Sequence, residues 1–244
     1  MRIQILNPNT NEDMTRQIGA VARMAASPDT LIEVACPAHG PLSIESHLDE
    51  AVAGAALLDL IAEGVAQGYD AHVIACFGDP ALLAARELAI GPVIGIAEAA
   101  MHAATLVASR FSIVTSLDRM AVQTEELLLR YGFARHCRKI RAIDIPVANI
   151  AHHCCSAHTQ LADECRRARD EDGIGAIVLG CAAMGAQAAS LTATLGLPVV
   201  DGISISVRLC EALVRAGLRT SKYADLAPPP RKRFTGRYAH WSKV

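Results

Sequence analysis

The sequence carries no excess of either charge: 23 Lys and Arg stand against 25 Asp and Glu, for a formal net charge of −2 over 244 residues. Such a balance offers no electrostatic case for nucleic acid or for an anionic membrane surface. Long apolar runs are also missing, and none approaches the roughly 18 residues a membrane helix requires. The opening MRIQILNPNT has too short an apolar run for a signal peptide. These absences lead us to expect a soluble, cytoplasmic protein with a small-molecule partner. The eight cysteines, at 36, 76, 137, 154, 155, 165, 181 and 210, include no CxxC pair. Neither a zinc ribbon nor a thioredoxin-type redox site is supported, and a chain of this size needs no disulfide staples. Aromatic residues are scarce, at 4%.

What the chain has in quantity is aliphatic residues, the usual filling of a parallel sheet flanked by helices. Short apolar runs fall at Ile3–Asn7, Ile32–Cys36, His72–Cys76, Val93–Ile96, Ser112–Thr115, Lys139–Ile143, Ala176–Cys181 and Val199–Asp201. Between them, stretches such as Asp49–Gln67, Pro80–Leu88, Arg119–Tyr131, Gln160–Glu171 and Ile203–Ala216 have helical apolar spacing. Regular β–α alternation implies right-handed crossovers and an α/β fold. The tail from Ala227, with three prolines and RKR, reads as an irregular, solvated surface segment.

The two halves repeat one order of elements. YDAHVIACFGDPALLAARELAIGPVIGI runs strand, Cys, helix, Gly-Pro, strand, and GIGAIVLGCAAMGAQAASLTATLGLPVVDG follows the same plan. Cys76 lies 16 residues before Pro92, and Cys181 lies 17 before Pro198. Any α/β protein repeats its β–α unit, but a cysteine at the same strand end in both copies favours duplication. We therefore expect two pseudo-twofold-related, flavodoxin-like subdomains with a cleft between them. The first would span 1–96 together with 204–244, and the second 97–203.

Ligands of open parallel sheets bind beyond the carboxyl ends of the strands. Cys76 and Cys181 stand there, each before a helix, so facing subdomains would put one sulfur on each wall of the cleft. Such a pair can remove a proton from one face of a carbon and return one to the other, with neither metal nor organic cofactor. A free thiol has a pKa near ~8.5. A helix amino terminus would lower it, a full unit requiring about 1.4 kcal/mol. The same backbone N–H groups could hold an enolate oxygen. Phe77, Gly78 and Asp79 after the first cysteine, and Ala182, Ala183 and Met184 after the second, are placed for those tasks. The bland alternative for either cysteine alone is a buried core thiol.

The strings NPN at 7–9, GPLSIES at 40–46, ACFGDP at 75–80, GPVIGIAEAAMH at 91–102, VLGCAAM at 178–184 and TSKYADLAPP near the carboxyl end resemble the hydantoin racemases of the aspartate/glutamate racemase superfamily. Allantoin racemases are close relatives of that group. The resemblance implies paired catalytic cysteines, Cys76 and Cys181, no cofactor, and a homo-oligomer. It implies racemisation of 5-monosubstituted hydantoins by proton transfer at C5, with allantoin as the rival substrate. Amino-acid racemases of the superfamily typically place Asn-Thr after the first cysteine to hold a carboxylate. Here Phe77-Gly78-Asp79 follows, and an acid at 79 would repel a carboxylate unless turned away. Arylmalonate decarboxylases keep only one of the cysteines.

Asn7, Pro8, Asn9, Thr115 and Ser116 end the first strands of the two halves and are candidates for ring contacts. Asn, Thr and Ser there could equally cap the following helices. Asp79 doubles as a candidate N-cap before Pro80. Ile44 is a candidate apolar wall for the substituent. His152, His153, Cys154, Cys155 and His158 form a metal-like string whose spacing matches no familiar zinc pattern. Glu98 and His102, four apart on a helix, read as a surface or interface pair. A maleate-type cis–trans isomerase would call for carboxylate clamps that the residues beside the cysteines do not supply. A non-enzymatic small-molecule sensor gives no reason for a thiol on each wall.

Overall fold

A computed structural model of the chain describes residues 1–151 and 155–243. It contains two four-stranded parallel sheets of identical connectivity. The first has order β2-β1-β3-β4, built from β1 (Arg2–Leu6), β2 (Leu31–Ala35), β3 (Ala71–Ile74) and β4 (Val93–Gly95). The second has order β6-β5-β7-β8, built from β5 (Phe111–Thr115), β6 (Cys137–Ala142), β7 (Ala176–Leu179) and β8 (Val199–Val200). All eight apolar runs are therefore strands. Several end one or two residues earlier than their apolar character suggests, because residues just beyond the strand ends, such as Ala75, are still buried.

The helices of the first half are α1 (Glu12–Ala25), α2 (His47–Ala66), α3 (Leu82–Leu88) and α4 (Ile96–Val107). Those of the second are α5 (Ala121–Arg130), α6 (Val147–Ala151), α7 (Cys155–Glu171), α8 (Ala188–Leu195) and α9 (Gly202–Arg215). Asn11 caps α1 through its side chain, as Ser46 caps α2 and Asp201 caps α9. Helices α1, α4, α6 and α8 lie outside the stretches singled out by spacing.

Helices α4 and α9 follow the last strand of each sheet and cross to the other half. Helix α4 packs against β7, α9 packs against β3 and β4, and the two helices pack on each other. Their first residues nearly touch: a Cβ on Gly202 would collide with the carbonyl oxygen of Ile96. One apolar core runs from Ile3 and Val73 in the first sheet to Ile113 and Val178 in the second. A smaller core around Leu57, Ile61 and Ile74 fills the far side of the first sheet under α2 and α3. The tail is irregular except for short turns of 3-10 helix, and His240 within it meets Asp59 of α2 at 2.8 Å. Among the described residues, no helix is long and apolar enough to cross a membrane.

Candidate active site

The connectivity of each sheet brings its two central strands side by side, and their carboxyl ends open onto one cavity. Cys76 stands two residues beyond the end of β3, and Cys181 two beyond the end of β7. Both line the cavity, with Asn9, Ile44, Phe77, Gly78, Thr115, Ser116 and Ala182 from among the residues expected. The space is small, about 50 Å3. With roughly 10–15 Å3 needed per water-sized group, it suits a single small ring, and larger parts of a ligand must extend towards the opening.

The remaining expected residues lie elsewhere. Pro8 is buried beside the cavity without lining it, as are Ala183 and Met184. Asn7 turns into a local network, its amide donating to Asn9 Oδ1 at 2.8 Å and Thr15 Oγ1 at 2.9 Å, which shapes the loop leading into α1. Neither Asn7 nor Asn9 caps α1, because Asn11 does. Thr115 donates to the carbonyl of Gly180 at 3.1 Å, tying β5 to the Cys181 loop.

Asp79 corrects the sequence reading on two points. It does not cap the helix after Pro80: α3 begins only at Leu82, and Asp79 and Ala81 both have left-handed backbone, with φ of 45° and 54°. Its carboxylate is instead drawn to the amino terminus of α4, accepting the N–H groups of Ala97 at 3.1 Å and Glu98 at 2.9 Å. The hydroxyl of Tyr131 donates to the same group at 2.8 Å. A Cβ on Gly95 would collide with this carboxylate, which explains the glycine in GPVIGI. Burial raises the Asp79 carboxyl to about 7 against the pull of these donors. The acid is thus turned towards the start of α4 and does not line the cavity, so it makes no direct contact with a carboxylate bound there. What does weigh against one is the lining, which has no Lys, Arg or His among the described residues.

The thiols also depart from expectation. Cys76 precedes an irregular turn rather than a helix, and Cys181 precedes a 3-10 segment, Ala182–Gln187. Burial dominates, pushing Cys76 up to about 12 and Cys181 to about 11. The backbone N–H groups of Gly78 and Ala183 pull the respective thiols back down. Negative charge at Asp79, Cys181 and Glu50 further raises Cys76, as Glu45 does Cys181. The two environments are therefore alike in kind, with burial opposed by one N–H each.

Sequence reasoning missed one wall. Met120, Gln123, Thr124 and Leu127 line the cavity at helical spacing, with Met14 of α1 and Val147 of α6. Polar Gln123 and Thr124 inside an otherwise apolar stripe are the signal that could have found this face. Of the other sequence candidates, Glu98 pairs with Arg86 rather than His102, whose ring meets the edge of Phe133 at 4.7 Å. His152, His153 and Cys154 lie outside the described residues. Among the described residues, no group of three or more His, Cys, Asp or Glu could hold a metal ion.

Fold and cavity together define a two-lobed α/β protein with one thiol from each lobe facing a compact space. The chain belongs to the Asp/Glu/Hydantoin racemase family, whose model matches residues 3–210, and it is an isomerase of the racemase class. It is 44% identical over 236 residues to a hydantoin racemase of Rhizobium meliloti, covering 97% of this chain and 98% of that one. An allantoin racemase structure from Klebsiella pneumoniae matches with a TM-score of 0.97 and 52% identity, covering 98% of both chains. A second, from Pseudomonas fluorescens, matches with a TM-score of 0.92 and 33% identity over 97% of this chain and 100% of that one.

Proposed function

We propose that the protein racemises 5-monosubstituted hydantoins by direct proton transfer at C5, with Cys76 and Cys181 as opposed acid and base. The observation that carries this reading is that both thiols, at matching strand ends of the two lobes, line one small cavity. One sulfur, as thiolate, takes the C5 proton, and the C–H electron pair moves into the adjacent carbonyl to give a planar enolate. The opposite thiol then delivers its own proton to the other face of C5 and becomes the thiolate. The charge passes from one sulfur to the other, no atoms are gained or lost, and the next turnover can run in the reverse direction.

Similar environments matter because proton transfer across a symmetric intermediate needs donors of similar strength on both faces. Raised thiol pKa values make the small thiolate population a stronger base towards a weakly acidic C–H. The N–H groups aimed at the sulfurs are also available to a developing oxyanion. A neutral ring fits a lining without cationic side chains better than a free amino acid does. Met14, Ile44, Phe77, Met120, Leu127 and Val147 give the substituent an apolar surround.

Allantoin, a hydantoin with a ureido substituent, is the second reading, favoured by the 52% identity to an allantoin racemase. Loss of optical rotation from an enantiopure 5-alkyl hydantoin, measured beside allantoin and aspartate, tests the proposal. Turnover of a ring compound and not of aspartate supports it. Racemisation of aspartate alone removes it.

A further inference from the structure

We infer that Gln123 is the side chain that reads the ring, its carboxamide pairing with a –CO–NH– edge by accepting the ring N–H and donating to the neighbouring carbonyl. This inference rests on the substrate reading above and adds the residue that recognises it. Gln123 lies on α5, is only 7% exposed and lines the cavity. Among the described residues, its amide makes no hydrogen bond to the protein and is not fully enclosed, so its donor and acceptor stay open to the cavity. A wall that merely filled space would be apolar at this position, as Met120 and Leu127 are on the same stripe.

The other polar side chains of the cavity are largely committed. The Thr115 hydroxyl donates to Gly180, and the Thr124 hydroxyl donates to the carbonyl of Met120 at 3.0 Å. Asn9 Oδ1 already accepts from Asn7 and from the N–H of Asn11 at 2.9 Å. The Ser116 hydroxyl remains, but it offers a single point of contact. Gln123 alone presents an uncommitted donor and acceptor side by side. That is the pattern with which glutamine reads a donor–acceptor edge of a nucleobase, and a hydantoin ring displays the same pattern on its lactam edges. The amide also lies close to the loop that carries Cys76. Its Nε2 lies 3.7 Å from where a Cβ on Gly78 would be, two residues beyond Cys76.

The test measures racemisation by wild type, Gln123→Leu and Gln123→Met on four compounds: 5-isobutylhydantoin, its N1-methyl and N3-methyl derivatives, and allantoin. Losing two neutral hydrogen bonds should lower kcat/KM on the unmethylated hydantoin by roughly tenfold to a hundredfold, chiefly through KM. Allantoin should lose by a similar factor. For one of the two methylated rings, wild type and variant should agree within about threefold, because methylation has already removed the N–H that Gln123 accepts. Thermal melting identifies a variant that fails to fold, and the two apolar replacements guard against relying on one of them. A loss below about threefold on the parent ring overturns the inference, as does an equal loss on all four compounds. A loss confined to allantoin also overturns it, since the amide would then read the ureido group. A wild-type enzyme inert on every compound overturns the substrate reading itself, a failure visible before any variant is compared.

Discussion

The Tyr131 hydroxyl donates to the Asp79 carboxylate at 2.8 Å, joining the loop that carries Cys76 to the end of a helix from the other half of the chain. With the N–H groups of Ala97 and Glu98, this fixes the strained turn that follows the cysteine. The Cys76 loop is therefore clamped by the start of α4 and by Tyr131 of the other half, rather than by the helix that follows it. Asp79→Ala should strand three buried donors and cost about 2–4 kcal/mol of unfolding free energy. Tyr131→Phe, which leaves both N–H groups paired, should cost about 1 kcal/mol. Chemical denaturation checks both. Equal costs for the two variants would show that the helix terminus is not the main anchor.

The raised thiols set an expectation for pH. A thiol held well above its ordinary value is ionised to a small extent at neutrality, and the ionised fraction grows tenfold with each pH unit below its pKa. If turnover needs one thiolate facing one thiol, kcat/KM should climb steadily from pH 7 to 9, approaching tenfold per unit, while the fold remains intact. A profile that is flat from pH 6 upwards would mean that a thiolate is already formed at neutrality, and that substrate or motion lowers the pKa below what burial alone permits.

Ile44, 8% exposed in the loop between β2 and α2, forms part of the apolar surround. Ile44→Ala should relax discrimination among 5-substituents. The kcat/KM ratio of benzyl- to methylhydantoin should rise by roughly 5- to 30-fold, the range expected when one to two kcal/mol of steric or apolar selectivity changes hands. An unchanged ratio would place the substituent against a different wall.

Much of this was legible in the sequence, for identifiable reasons. Continuous apolar runs mark strands buried on both faces and period-3.6 patterns mark helices that bury one, so the eight strands and several of the helices could be read. The duplication was visible because Cys76 and Cys181 stand at equivalent points of two similar strings. Less legible was anything set by convergence of distant segments. Asp79 reads locally as an N-cap, and only the tertiary fold puts an unsatisfied helix terminus, that of α4, within its reach. The thiol pKa direction was misjudged because a strand end says nothing of how deeply the residue is buried. Gln123, Met14 and Val147 meet only through the packing of α5, α1 and α6 around the cavity. The identity of the cavity-facing stripe on α5 was nonetheless latent in its spacing.

Because both proposed proton carriers are side chains, exhaustive dialysis against EDTA should leave the rate of racemisation undiminished. Activity lost on chelation and restored by a divalent cation would contradict a mechanism in which only thiols move the proton.

The division of labour between the cysteines is tested most directly by hydrogen exchange in D2O with Cys76→Ala and Cys181→Ala. Each variant keeps a proton carrier on one face only, so racemisation should fall by at least a thousandfold, at the upper part of the range for losing a general acid or base. The remaining sulfur can still remove C5–H from the enantiomer that points at it and return a solvent-derived deuteron to the same face. Proton NMR with chiral chromatography should therefore find exchange with retention, in one enantiomer for Cys76→Ala and in the opposite one for Cys181→Ala. Exchange of the same enantiomer by both variants, or racemisation by either near the wild-type rate, would contradict the assignment of one thiol to each face.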